Sequence, residues 1–228
     1  MLKIYENNWL LFRTQKDIEL REFFVKNISE QLKHFLKTIN HSFDFQRVEA
    51  SQLTPIDLLN ENYTEDDYYK VDDLALRPET TMGSFAYADH ILNPHNKPKT
   101  RLPIVVRQAG KSFRREQDKV LKHMRLKEFY QLEFQVIYSN TTADDYYGRI
   151  VEYIDLLLSS LVWDTRLEPS DRLPSYSEIT TDVIMEWNDM EICSISKRKD
   201  YHDDIVTEVA IGLDRLVYNY NCILWETL

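Results

Sequence analysis

The residues best placed to do chemistry lie in one charged segment near the middle of the chain. The run from Gly110 to Glu116 combines one lysine, two arginines and a phenylalanine, and a second charged run from Arg125 to Glu133 follows it. Guanidinium groups match phosphate oxygens bidentately, and an aromatic ring can stack on a nucleobase. The composition therefore indicates a site for a nucleoside triphosphate, although charged hairpins also occur on solvated surfaces.

Several elements are needed to position this segment. The two charged runs predict antiparallel strands joined by a charged loop. Downstream, residues 208–216 predict a strand, a break at Gly212 and the first turn of a helix that carries Arg215. Upstream, apolar residues at helical spacing predict a helix from about Asp17 to Ile39, and a strand is predicted over 43–48.

The rest of the pattern predicts a mixed set of strands and one more helix. A short β-branched strand is predicted from Arg101 to Val106, a central strand from Phe129 to Tyr138, and further strands around 176–186 and 191–196. Thr141 and Thr142 are predicted to cap a second helix, with Asp144 and Asp145 in its first turn. The acidic tract 63–69 is interpreted as a solvated loop.

Length and charge limit the possible functions. A chain of 228 residues with 43% apolar content suits one catalytic domain over residues 1–228. Its 28 basic and 38 acidic residues give a net charge of −10, so a nucleic-acid contact needs a local basic patch. The candidate patch consists of Lys111, Arg114, Arg115, Lys119, Lys122, Arg125 and Lys127.

Cysteine usage and hydropathy predict the compartment. Cys193 and Cys222 have neither metal-ligand spacing nor the density of a disulfide scaffold, which favours a reducing cytosol. We expect a soluble, cytoplasmic protein without a membrane partner, because no window approaches eighteen consecutive apolar residues.

These elements resemble, in the same order, the three signature motifs of class II aminoacyl-tRNA synthetases. Residues 76–83 (LRPETTMG) and 190–201 (MEICSISKRKDY) are similar to segments of glycyl-tRNA synthetases in particular. The resemblance covers about residues 40 to 220. It implies an α+β fold, with an antiparallel sheet flanked by helices, and a homodimer formed across the first motif.

The resemblance also implies roles for the charged segment in binding ATP. Arg114 would contact the α-phosphate and the substrate carboxylate, while Arg125 and Arg215 would reach towards the γ-phosphate. Arg114 and Arg215 are thus the candidate catalytic residues. Phe129 would stack on adenine, and Glu116 would contact adenine or the acceptor end of tRNA.

An amino-acid pocket is implied in the same way. Glu79, Glu133 and Glu208 would bind the substrate ammonium group, and Arg198 would face its carboxylate. Ala210 stands where the family usually has a serine, which puts the choice of glycine in doubt.

Oxygen ligands suit Mg²⁺, and the candidate metal ligands are Glu191 and Glu208. Glu191 alone is equally consistent with a charge at a strand edge.

The predicted function is ATP-dependent activation of a small amino acid, glycine first, with transfer to tRNA or another acceptor. No anticodon-binding domain is expected, because few residues follow Arg215. The alternative is a non-catalytic paralogue that acts as a binding or accessory subunit, since fold alone does not separate the two.

Overall fold

A seven-stranded sheet forms the centre of the protein in a computed structural model that describes residues 3–5, 10–61, 63–93, 95, 101–115, 124–141, 145–171 and 175–226. The strand order is β3-β7-β8-β12-β11-β10-β9. These strands are β3 (Asp44–Val48), β7 (Ile104–Phe113), β8 (Glu128–Ser139), β9 (Thr165–Pro169), β10 (Ser177–Met185), β11 (Glu191–Tyr201) and β12 (Asp204–Gly212). The predicted α+β class is confirmed, but the sheet is mixed because the edge strand β3 runs parallel to β7.

Helix α1 (Gln15–Ile39) begins close to its predicted start. A capping box sets that start, because Thr14 and Asp17 each accept a hydrogen bond from the other's backbone N–H. Four apolar residues spaced by four form its buried stripe: Phe24, Ile28, Leu32 and Leu36. The stripe packs in the main hydrophobic core.

Helices α3 (Tyr146–Val162) and α4 (Leu213–Glu226) join α1 on one side of the sheet, called here the core face. The core face of the strands is formed by alternate apolar residues, including Leu132, Phe134, Val136, Val209 and Ile211. The predicted cap of α3 was wrong. Asp145 is the N-cap, and its carboxylate accepts the backbone N–H of Tyr147. Residues 142–144 lie outside the described residues.

The opposite side of the sheet, called here the pocket face, changes character along the strands. Helix α2 (Thr81–Leu92) covers one end of it, where a second hydrophobic cluster forms around Ala88, Ile104, Val106, Ile137 and Val206. Beyond α2 the same strands present polar side chains. The pocket face therefore has an apolar end and a polar end, separated by the start of α2.

The hairpin of β7 and β8 confirms the predicted antiparallel pair, with Gly110 opposite Gln131. The separate strand predicted for 101–106 is instead part of β7, which continues through Gly110 to Phe113. A glycine is needed there because a Cβ would collide with the guanidinium of Arg77. Arg77 is buried and donates to the carbonyl of Lys111.

Two small sheets complete the fold. Strands β1 (Lys3–Tyr5) and β2 (Leu10–Phe12) pair with each other, and β4 (Leu53–Pro55), β6 (Leu74–Leu76) and β5 (Tyr69–Val71) form a three-stranded sheet. A short 3-10 helix, Ile56–Leu58, follows β4. Within the described residues, every helix is too short or too polar to cross a membrane.

Candidate active site

A cavity of about 610 Å³ opens on the polar end of the pocket face. Strand pairing arranges its floor in transverse rows, because residues opposite each other on neighbouring strands point to the same side. One row runs Glu133, Ala210, Ser194, Asp182 across β8, β12, β11 and β10. The next row, closer to α2, runs Gln135, Glu208, Ser196, Thr180.

Three glutamates meet at the inner end of this cavity, and each is nearly removed from solvent: Glu79 is 6%, Glu133 2% and Glu208 7% exposed. Burial, together with the charges of Glu208 and Glu79, raises the pKa of Glu133 to about 8. Burial and the charge of Glu208 also raise the pKa of Glu79, against the opposing effect of Arg198. Such a cluster favours a cationic ligand, which would remove the mutual repulsion.

The start of α2 supplies hydroxyl groups to these carboxylates. Thr80 Oγ1 donates to Glu133 Oε2, and Thr81 Oγ1 lies 2.9 Å from Glu208 Oε2 and 3.2 Å from Glu133 Oε2. A hydroxyl has one proton, so Thr81 can satisfy only one of the two glutamates at a time. This agrees with a Glu133 that holds its own proton.

Glu79 comes from the loop before α2 and is only half satisfied. Tyr63 Oη donates to Glu79 Oε2 at 2.8 Å, whereas Oε1 is buried and has no hydrogen-bond partner among the residues that the structure describes. A buried unpartnered carboxylate oxygen is costly, so Oε1 is a natural acceptor for a ligand N–H. The acidic tract is therefore only partly a solvated loop: Glu65 and Asp66 are exposed, but Tyr63 and Asp67 line the cavity.

Arg198 takes a different position from the one that the resemblance implies. It is fully buried, and the cavity lining does not include it. Its Nη1 donates to Glu208 Oε2 at 2.7 Å, while Nε and Nη2 donate to the carboxylate of Asp200 at 3.0 and 2.6 Å. The Tyr176 ring covers its guanidinium at 3.9 Å. The structure therefore places Arg198 behind Glu208, which it orients.

Three arginines meet at the outer end of the cavity, where Arg114, Arg125 and Arg215 all line the wall. Arg114 leaves the end of β7, and its Nε donates to the carbonyl of Pro78. Arg215 is in the first turn of α4 and donates to the Glu191 carbonyl at 2.8 Å. Burial lowers the pKa of Arg215, and the charges of Arg125 and Arg114 act in the same direction. These cations therefore face a common space that suits an anion.

Phe129 also lines the outer end, and the guanidinium carbon of Arg114 lies 5.4 Å from its ring centroid. Its position on β8 is two residues from Gln131 and four from Glu133, so all three share the pocket face. Glu116 and the loop from 117 to 123 lie outside the described residues.

A bulge in β11 brings Glu191 into the cavity. Val183 pairs with Cys193 but the next residue, Ile184, pairs with Glu191, so Ile192 is an extra residue on β11. Ile192 and Cys193 consequently both join the core, and Glu191 and Ser194 both line the cavity. Glu191 Oε1 lies 3.3 Å from Arg215 Nη1.

The two predicted metal ligands are far apart. Glu208 pairs with Ser196, which is five positions along β11 from Glu191, a separation of roughly 16 Å. Among the described residues, no group of three or more His, Cys, Asp or Glu side chains could hold a metal ion. Because Mg²⁺ is often held by one or two carboxylates and substrate phosphates, Glu191 beside the arginines fits that chemistry. Glu208, engaged by Arg198, fits it poorly.

Several residues of the site were missed at the sequence level. They are Tyr63, Thr80, Thr81, Gln108, Gln135, Tyr176, Thr180, Asp182, Ser194 and Ser196. The alternation Gln131, Glu133, Gln135 on β8 was a usable signal, since a strand with one polar and one apolar face contacts a site on its polar side. No comparable signal marks Tyr63 or Tyr176, which reach the cavity from loops.

Comparison with known proteins shows the family of the chain. The family model described as tRNA synthetase class II core domain (G, H, P, S and T) matches residues 63–217. The glycine–tRNA ligase of Mycoplasmopsis synoviae is 28% identical over 221 residues, covering 91% of this chain and 47% of the relative. That of Mycobacterium bovis is 30% identical over 140 residues, covering 55% of this chain and 29% of the relative.

Solved structures share the fold at low sequence identity. A prolyl-tRNA synthetase from Cryptosporidium parvum, complexed with L-proline and AMP, superposes with a TM-score of 0.71 at 13% identity, covering 96% of this chain and 48% of that one. A pyrrolysyl-tRNA synthetase from Desulfitobacterium hafniense gives 0.59 at 16% identity, covering 85% of this chain and 68% of that one. The Mycoplasmopsis synoviae relative aligns with most of this chain, and this chain spans about half the length of that relative. The chain belongs to the class II aminoacyl-tRNA synthetase family as a core domain.

Proposed function

We propose that the protein activates a small amino acid with ATP and passes the aminoacyl group to tRNA or another acceptor. The observation that carries this proposal is the division of one cavity into an anionic inner end, with Glu79, Glu133 and Glu208, and a cationic outer end with three arginines. An amino acid presents an ammonium group and ATP presents a triphosphate. Each end matches one of the two substrates in charge.

The reaction itself needs few protein groups beyond fixed charges. A carboxylate oxygen of the amino acid forms a bond to the α-phosphorus, and the bond from that phosphorus to the bridging oxygen of pyrophosphate breaks. Pyrophosphate leaves with the electron pair, and no proton is transferred. Arg114 would stabilise the charge on the α-phosphate, and Arg125 and Arg215 would hold the departing phosphates.

The inner end would orient the amino acid. Glu133 and Glu79 Oε1, which has no partner in the described part of the chain, would accept hydrogen bonds from the ammonium group. Glu133 would release its proton when that cation binds, because the positive charge lowers its raised pKa. Phe129 would carry the adenine ring, as an aromatic face does for a base. Mg²⁺ would neutralise phosphate charge with Glu191 as a protein ligand.

Two partners belong to the same proposal. An acceptor would approach from the hairpin side, where Lys111, Arg115 and Lys127 add positive charge. A second copy of the chain would pack on α1 and β3, because β3 is the edge strand of the sheet and Phe23 on α1 is 50% exposed. The curated relatives are named glycine–tRNA ligases, so glycine is one of the small amino acids that are candidate substrates here.

Amino-acid-dependent ATP–pyrophosphate exchange tests the proposal. The full chain is assayed with each of the twenty amino acids, with and without tRNA. We expect exchange with very small amino acids only. Exchange with none of them, together with no ATP binding by isothermal titration, would leave the accessory-subunit alternative in its place.

A further inference from the structure

The part of the cavity floor next to Ala210 is lined by hydroxyl groups that the reaction described above does not use. Ser194 lies beside Ala210 on the neighbouring strand, and its Oγ donates to Asp182 Oδ1 at 2.7 Å. One row closer to α2, Thr180 Oγ1 and Ser196 Oγ lie 2.9 Å apart. All four side chains line the cavity, and Asp182 is only 8% exposed.

This wall leaves hydrogen-bonding capacity that faces the ligand. Ser194 Oγ donates its one proton to Asp182, so its lone pairs can still accept a hydrogen bond from a ligand. Burial and the charge of Glu191 raise the pKa of Asp182, and hydrogen bonds from Ser170 and Ser194 oppose that rise. An apolar ligand group placed against such a wall would leave acceptors unsatisfied.

We propose that Ala210, Ser194 and Asp182 form a specificity site for the side-chain hydroxyl of a β-hydroxy amino acid of serine size. This inference rests on the proposed function and narrows its substrate class. Ala210 contributes only a methyl group between Glu133 and Ser194 in their row, so the floor is low there. A substrate held by Glu133 through its ammonium group has its side chain directed over that gap.

The row distinguishes this substrate from smaller amino acids by its chemistry, because Ser194 lies two strands from Glu133 on the same face of the sheet. Glycine has no atom to place against Ser194, and alanine places a methyl group there. The hydroxyl of serine can donate to Ser194 Oγ or to the carboxylate of Asp182.

Substrate competition in the exchange assay tests the inference. With the full chain, we expect kcat/KM for serine to exceed that for alanine and glycine by about tenfold or more, because a site that hydrogen-bonds a hydroxyl rejects analogues that lack one. Ser194→Ala should lower the value for serine towards that for alanine, and it should lower the value for serine by a larger factor than the value for alanine. Ser160→Ala, on α3 and outside the cavity lining, is the control.

Other outcomes overturn the inference. Preference for glycine or alanine would do so, and so would a Ser194→Ala variant that loses activity equally with all amino acids. If Ser194→Ala raises only the KM for ATP, Ser194 and Asp182 would instead be assigned to binding the ribose hydroxyls of ATP.

If no amino acid supports exchange, the proposed function fails on its own, and calorimetric titration of serine, alanine and glycine still decides the inference. Serine binding that Ser194→Ala abolishes supports it. Equal binding of the three, or none, rejects it. Melting curves of each variant check that the fold is intact.

Discussion

The two ends of the cavity are built on different principles. At the inner end, the carboxylates are held mainly by other parts of the protein, although Glu79 Oε1 has no partner among the described residues: Glu208 Oε2 alone is contacted by Arg198, Gln135 and Thr81. At the outer end, arginines are fixed by backbone carbonyls, as Arg114 is by Pro78 and Arg215 by Glu191. The inner end therefore has a rigid shape, whereas the outer end holds charge that a ligand can neutralise.

Because of this difference, we expect substitutions at the two ends of the cavity to affect different properties of the protein. Substitutions at the inner end should affect folding and amino-acid selection, because Arg198 is the buried cationic partner of Glu208 and the glutamates would bind the amino acid. Substitutions at the outer end should affect ATP chemistry with little loss of stability, because its cations repel each other without a ligand.

The largest effect is expected for Arg198→Met. Removal of this cation leaves Glu208 and Asp200 without their partner, and breaking a buried ion pair costs about 3–5 kcal/mol. Urea denaturation should show this loss. A triple variant that adds Glu208→Gln and Asp200→Asn should recover much of it. A single variant that unfolds at the wild-type urea concentration contradicts the rigid inner end.

The second-largest effect is expected for Arg114→Ala, and it should be an effect on catalysis. Loss of a charge-assisted contact to the reacting phosphate should lower exchange by about 10²-fold or more, with a small change in melting temperature. Arg166→Ala is the matched control, since Arg166 pairs with Glu168 and Asp189 away from the cavity. Unchanged exchange in the Arg114 variant would remove this residue from the proposed mechanism.

Glu133→Gln tests the comparison through the pH dependence of the free energy of unfolding. In the wild type, the folded-state pKa of Glu133 is raised to about 8, so above about pH 4.5 the folded protein binds more protons than the unfolded chain. The stability that this group contributes is therefore lost as pH rises from about 4.5 towards 8. The Gln variant should lack that decline in urea titrations. It should also bind the amino acid more weakly by about 1.5–3 kcal/mol, the contribution of a charged hydrogen bond.

The control for this variant lies on the same strand. Glu128→Gln removes a carboxylate that is 41% exposed and outside the cavity lining, and it should leave the affinity for the amino acid unaltered. Identical profiles for the wild type and Glu133→Gln would contradict the raised pKa.

The smallest effect is expected for Lys111→Ala, on strand β7 and outside the cavity lining. Lys111 Nζ lies 2.6 Å from Glu128 Oε1, but both side chains are partly exposed. Such pairs contribute about 0.2–1 kcal/mol and are screened by salt. Stability measured in low and high salt should differ less in the variant than in the wild type. A loss above about 2 kcal/mol would contradict the description of this pair as a weak surface contact.

The sequence predicted the elements that depend on local pattern. The stripe of α1 has a period that only a helix can bury on one side, so the helix was found to within two residues at its start. The hairpin was found because its strands are adjacent in the chain. The extent of β7 was missed because residues 101–106 and the run from Gly110 were predicted as separate strands, and the requirement for Gly110 comes from Arg77, which is distant in sequence.

The candidate site was predictable only where a motif carried it. The three glutamates and three arginines were named from the resemblance, and the structure brings each group together. The position of Arg198 was not foreseen, because its pairing with Asp200 and Glu208 depends on the turn between β11 and β12. The approach of Glu191 depends on a bulge, which no alternation of residue types reveals.

The buried guanidinium of Arg77 has a mechanical consequence. Its Nη1 donates to the carbonyls of Ala50 and Ser51, just after the edge strand β3, while its Nε donates to the carbonyl of Lys111 in the hairpin. One rigid planar group thus spans two segments that are sixty residues apart in the chain. A shift of the hairpin backbone must either carry the 50–51 segment with it or break these bonds, so movements of the sheet edge and of the strand that leads to Arg114 are coupled.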